Sequence, residues 1–151
     1  MSVMTAQDLL AAHPFLAGLT DSRLARLSTW ARRSPFHAGA RVFSEGSHAD
    51  RFWLIRDGLV RLEADVPGRG SVEVATLGPD TVLGWSWLFA PHRWHFGAVA
   101  VEPTLTVELN GPGVLRLCDG DPELGYDLTR RFMRVVVDRL QATRLRLIDA
   151  A

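Results

Sequence analysis

"GARVFSEGSHADRFWLIRDGLVRLEADV", residues 39–66, is built of three short runs, "RVFSEG", "RFWLIRDG" and "LVRLEADV", rich in Val, Leu and aromatic residues and parted by Gly, Asp and Ser. Their hydrophobic period is two, the repeat of a strand with one face buried. The same signature continues through "SVEVATLG", "FGAVAVE" and "LTVELNG" as far as Asn110. Short strands at such even spacing predict a sandwich, barrel or jelly roll rather than alternating βαβ units. Asp57-Gly58 in "RDGLV" predicts a tight hairpin, because glycine accepts the positive φ that such a turn needs.

On both sides of this region the period changes to that of a helix. Thr5 is placed to cap "AQDLLAAH", with Asp8 in the first turn, and Asp21 to cap "SRLARLSTWARR", where Leu24, Leu27 and Trp30 recur at helical spacing until Pro35. After Asn110, "GPGVLRL" opens a short helix, and Pro122 suits the first turn of a long one running to the last residues. The expected fold is α+β: a β-roll or jelly roll (double-stranded β-helix) flanked by N-terminal helices and a long C-terminal helix. One domain is expected, with helices over 1–34, the roll over 35–110, and the short helix and a long dimerisation helix over 111–151.

Composition excludes several function classes. Seventeen basic and seventeen acidic residues cancel, so no global field draws the chain to nucleic acid or to a membrane. Every basic residue is Arg, and the absence of Lys removes phosphate-loop and Schiff-base chemistry. Cys118 is the single cysteine, which excludes an internal disulfide and an all-cysteine metal site. The N-terminus lacks the pattern of a signal peptide and no apolar run approaches membrane-spanning length, so a soluble cytoplasmic protein is expected. His92 and His95, three apart, face opposite sides of a strand, while His13, His37 and His48 sit in capping or solvated contexts. No metal site, catalytic constellation or enzymatic activity is expected.

In the long helix, Met133, Val136, Leu140, Thr143 and Leu147 step by three and four residues, and Leu128, Phe132 and Val135 form a neighbouring stripe. One stripe covers the roll while the other predicts a parallel homodimer. Arg130, Arg131, Arg134, Arg139, Arg144 and Arg146 read as a solvated face, and with no recognition helix after them direct DNA binding is not expected.

The runs "HPFLAGLTDSRLARL", "GARVFSEGSHADRFWLIRDGLVRL" and "LGPDTVLGWSWL" resemble, in order and across nearly the whole chain, the cyclic nucleotide-binding domains of the catabolite-activator class. Gly46, Asp50, Gly58 and Gly78 fall where that family places its turn residues. The resemblance implies helices leading into a β-roll, then a short helix and a long dimer helix, here without the helix-turn-helix domain. It also implies a phosphate cassette beginning at Gly84. In the family a Glu follows that glycine and grips ribose, and an Arg about ten residues on holds the cyclic phosphate. Here the Glu position is Trp85 and the Arg position is Trp94. Arg93 lies one residue away and, on a strand, faces the opposite side from Trp94, so it reaches a phosphate only after a slip or bulge. His95 stands where the family has a small or hydroxyl residue, while Ser86 and Leu88 still fit a short helix.

"GWSWLFAPHRWHF", residues 84–96, therefore allows three readings: a vestigial pocket filled by indoles, a pocket re-tooled for another small ligand, or ordinary cyclic-nucleotide binding. The expectation is a non-enzymatic regulatory sensor that binds a small effector at Gly84, Trp85, Ser86, Trp87, Arg93, Trp94 and His95 and signals to a partner protein. Trp85 and Trp94 are its expected walls, and Arg93, His95 and the Ser86 backbone its polar handles. No resident cofactor is assigned. The alternative is a ligand-free interaction module or accessory subunit that kept only the scaffold. Complete closure of the cassette by Trp85 and Trp94 would remove the sensor reading.

Overall fold

The computed structural model describes residues 3–150. Helix α1 (Ala6–Ala12) starts as the sequence predicts. The Thr5 hydroxyl accepts from the Asp8 N–H at 3.1 Å and the Asp8 carboxylate accepts from the Thr5 N–H at 2.9 Å, satisfying two orphan donors at once. A single turn of 3₁₀ helix, Pro14–Leu16, leads on to helix α2 (Asp21–Ser28).

Helix α2 departs from expectation at both ends. Its cap is Thr20 rather than Asp21, and it stops at Ser28, five residues before the end of the predicted run. The hydroxyls of Ser28 and Thr29 bond back to the carbonyls of Ala25 and Arg26, closing the last turn. From Ala31 the chain is strand β1 (Ala31–Phe36), so the roll begins at 31 and not at 35. The reason is non-local. β1 pairs residue by residue with β8 (Thr104–Asn110), a gain that helical periodicity does not register. Pro35 is tolerated because β1 is an edge strand. Trp30 lies beyond the helix and packs on Gly113, where a Cβ would meet the indole at 2.2 Å.

The remaining strands are β2 (Arg41–Phe43), β3 (Arg51–Asp57), β4 (Val60–Val66), β5 (Gly70–Leu77), β6 (Val82–Leu83) and β7 (Gly97–Ala100). They form two antiparallel four-stranded sheets, ordered β1-β8-β3-β6 and β2-β7-β4-β5. β3 and β4 belong to different sheets, so Asp57-Gly58 is not the hairpin that the sequence predicts; it carries the chain from one sheet to the other. Gly58 is needed twice over, at φ +102° and with a would-be Cβ 2.6 Å from the Thr104 backbone.

Strand β3 explains its own apolar run. Phe52 and Leu54 face a core shared with the helices, including Leu9, Leu27, Val114, Leu124 and Phe132, while Trp53 and Ile55 face the interior between the sheets with Leu62, Leu83 and Ala98. Buried on both faces, the strand loses its alternation. His13 belongs to this shielded region, 4% exposed: its Nδ1 accepts from the Phe15 N–H, so Nε2 donates to the Ile55 carbonyl at 3.0 Å.

Asn110 caps helix α3 (Gly111–Gly120) by accepting from the Gly113 N–H, and helix α4 (Pro122–Ala150) follows. Asp121, at the joint, accepts two hydrogen bonds from Arg23 at 3.0 and 3.1 Å and one from the Leu124 N–H, tying α2 to the start of α4. Arg23 and Asp121 hold each other's charge, the arginine pushed up and the carboxyl held below its ordinary range.

Candidate functional site

Residues 84–96 leave β6 at Gly84, φ +98°, make one 3₁₀ turn over Ser86–Leu88, and enter β7. Their three indoles go to three different places. Trp87, 2% exposed, stacks on Phe52 at 4.8 Å and meets Phe132 edge-on, so it belongs to the helix-side core. Trp94, 5% exposed, points between the sheets, parallel to Phe43 at 4.0 Å and tilted on Trp53 at 5.8 Å. Trp85 stays half-buried at the rim, with the Arg139 guanidinium 4.8 Å from its ring centroid.

Three spaces border this stretch. Beside Gly84, lined by Phe43, Leu62, Leu83, Gly84, Trp94 and Arg139 among others, one of only about 20 Å³ has room for about one water molecule. Across the Phe43, Trp53 and Trp94 rings, an open cleft of about 410 Å³ is lined also by the polar His48, Asp50, Arg51 and Glu108. A Cβ on Gly84 would sit 2.8 Å from the Trp94 ring, so the glycine is held by the indole against it. On the outer side, between the cassette and α4, lies a groove of about 200 Å³. Trp85, Ser86, Arg93 and His95 of the predicted set line it. So do Leu88, Phe89, Ala90, Pro91 and His92, with Thr129, Phe132, Met133 and Val136 from α4. Gly84 and Trp94 line the inner remnant, and Trp87 lines neither.

Arg93 and Trp94 do face opposite sides, and it is Trp94 that turns inward. The Arg93 guanidinium donates to the Gly46 carbonyl at 2.9 Å, and its backbone bridges to His48. His92, at φ 54°, bonds through Nδ1 to the Trp87 carbonyl at 3.1 Å. Leu88, Phe89 and His92 lie inside the stretch that the sequence marks, but only packing against α4 reveals them as lining.

Two charged groups shape the surroundings. Arg139 donates to the Val82 carbonyl, and burial pushes its guanidinium down to about 10. Among the described residues it has no carboxylate partner. Glu108, buried on β8, accepts from Arg32 at 2.6 Å, from Arg51 at 3.5 Å and from the Trp53 indole N–H at 3.2 Å. Burial pushes the Cys118 thiol up, with Asp119 and Asp121 adding to it, so the thiolate is disfavoured. Among the described residues no group of three or more His, Cys, Asp or Glu is placed to hold a metal, and no helix is long and apolar enough to cross a membrane.

Along α4, Leu128 and Phe132 are buried against the domain, whereas Met133, Leu140 and Leu147 are exposed. Val136 turns toward the groove, and Thr143 is exposed. The exposed apolar stripe runs Tyr126, Met133, Val137, Leu140 and Leu147.

The family profile for the cyclic nucleotide-binding domain matches residues 33–121. The chain belongs to that family. A CRP-like cAMP-activated global transcriptional regulator of Mycobacterium tuberculosis is 25% identical over 142 residues, which cover 94% of this chain and 62% of the regulator. The chain thus spans less than two thirds of that relative's length. Among solved structures, a Geobacter metallireducens protein described as cyclic nucleotide-binding superposes with TM-score 0.79 at 27% identity, covering 91% of this chain and 99% of the other. The Thermus thermophilus catabolite activator protein gives 0.71 at 25% identity, over 89% of this chain and 61% of that one. A cyclic nucleotide-binding domain from Methylobacillus flagellatus gives 0.82 at 18% identity, over 97% and 82%, a likeness of fold.

Proposed function

We propose that this chain is a non-enzymatic regulatory module of the cyclic nucleotide-binding family whose small-molecule ligand sits between the cassette and α4, not between the sheets. The observation that carries this reading is the pairing of a nearly filled space beside Gly84, about 20 Å³, with a largely apolar outer groove of about 200 Å³. A cyclic nucleotide in that space requires Trp94 to leave its stack with Phe43 and Trp53. Losing that packing costs on the order of 3 kcal/mol, more than a hundredfold in affinity. Among the described residues no carboxylate lines the remnant, and its one arginine, Arg139, is stacked on Trp85 and bonded to the Val82 carbonyl.

The route from ligand to output runs through Trp85, which lines the groove and carries Arg139 of α4. A ligand that contacts Trp85 differently in two positions of α4 shifts their populations by that difference. The exposed stripe through Met133, Leu140 and Leu147 is the seam of a parallel homodimer, and the helix position is passed to a partner protein.

Indole N–H signals in two-dimensional NMR test this directly. Groove ligands are expected to move the Trp85 signal and leave Trp53 and Trp94 in place, and cyclic AMP or cyclic GMP at millimolar concentration to move none. Submillimolar cyclic-nucleotide binding with a shift at Trp94 overturns the reading. The competing reading, a ligand-free interaction module, draws on the nearly filled space beside Gly84 and on the exposed Phe89; it requires that no small molecule enter the groove.

A further inference from the structure

Resting on the groove as the ligand site, we propose that its occupant is a small organic anion: one compact ring or branched apolar body bearing a carboxylate. Size sets the body. A dry cavity of about 150 Å³ holds one benzene, so about 200 Å³ takes a single ring and a small head group. The walls suit that body, since Leu88, Phe89, Pro91, Phe132, Met133 and Val136 are apolar.

Charge sets the head. Among the described residues no Asp or Glu lines the groove, and its ionisable side chains are His92, Arg93 and His95. Among the described residues Arg93 makes no ion pair; one of its nitrogens serves the Gly46 carbonyl, which leaves the rest of the fork for an acceptor. Arg139, stacked on the shared wall Trp85, adds a second cation without a carboxylate partner among the described residues. An anionic head gains charge-assisted hydrogen bonds here, and an ammonium finds no carboxylate among the lining residues. The groove therefore discriminates against free amino acids, whose ammonium finds no carboxylate, in favour of the corresponding acids without the amine.

Four probes that share a ring test this on the full chain: phenylacetate, phenylacetamide, phenethylamine and phenylalanine, followed by calorimetry and by the Trp85 indole signal. Phenylacetate is expected to bind at least about tenfold more tightly than phenylacetamide, the worth of one charged hydrogen bond, with the two amines weaker still. Arg93→Met is expected to abolish the preference, weakening phenylacetate far more than phenylacetamide, and Arg93→Lys to restore part of it. Equal binding of phenylacetate and phenylacetamide overturns the anion assignment and leaves the groove as the ligand site. No response from any probe at tens of millimolar overturns both. A response only from a monomeric Leu140→Asp chain means that a second copy fills the groove, and this too overturns the proposal.

Discussion

The Arg139 guanidinium lies 4.8 Å from the centroid of the Trp85 indole while donating to the Val82 carbonyl, so one side chain joins α4 to both the cassette and the strand before it. Two turns further on, Arg146 donates to the Val74 carbonyl of β5. The second half of α4 thus touches the roll through arginine heads, whereas its first half is seated by Leu124, Leu128 and Phe132 in the core. The helix is seated by apolar side chains at one end and by arginine heads at the other.

Arg139→Met keeps the stem's packing and removes a buried cation that has no carboxylate partner among the described residues. Because such a charge is costly to desolvate, the substitution is expected to leave stability unchanged or raise it by about 1 kcal/mol. It is also expected to shift Trp85 emission. Urea unfolding and fluorescence read both, and a loss above about 1 kcal/mol contradicts the reading of Arg139 as a desolvated charge that adds nothing net to stability.

Trp94→Ala is expected to cost about 3 to 5 kcal/mol, the usual range for truncating a buried large aromatic. The cavity it leaves between Phe43 and Trp53 is apolar, so added indole should recover part of the lost thermal stability in the variant and none in the wild type. Failure of indole to distinguish the two proteins means that the space collapses.

Burial holds the His13 imidazole below its ordinary 6.5, outweighing the Ile55 carbonyl and the charge of Asp80, which push it up. Folding therefore favours the neutral ring. Below 6.5 the unfolded chain takes up a proton that the folded chain resists, so this contribution is complete above 6.5 and is lost as pH falls toward the folded value. The urea midpoint is expected to drop more steeply between about pH 7 and 5 in the wild type than in His13→Gln. Equal slopes remove His13 from the acid response.

Leu140→Asp places a charge in the middle of the exposed stripe on α4. Light scattering is expected to give a dimer for the wild type and a monomer for the variant, because a buried unpaired carboxylate at a helix seam is strongly unfavourable. A monomeric mass for both chains removes the seam.

Most of the roll is readable from apolar patterning, because β4, β5, β7 and β8 bury a face against a core and β3, buried on both faces, reads as a continuous apolar run. β1 is not. Its residues "ARRSPF" carry no apolar alternation, and it exists as a strand because β8 offers an edge some seventy residues away. The same limit applies to Asp57-Gly58: the turn chemistry is visible locally, but the sheet that receives β4 is chosen by partners elsewhere. In the cassette, the stretch is readable as the locus, and the opposite facing of Arg93 and Trp94 follows from strand geometry. Which indole enters the roll is decided by Phe43 and Trp53, forty or more residues earlier, and the groove exists only because α4 passes by.

Gly84 and Trp94 also limit each other's replacement. At φ +98° and with a would-be Cβ 2.8 Å from the indole, position 84 is closed to a side chain by its own backbone and by the ring. An arginine at 94 would strand its charge beside Phe43 and Trp53, and a smaller residue there would open a void without relieving the backbone at 84. The two positions are thus interlocked, and neither changes alone without a cost in stability.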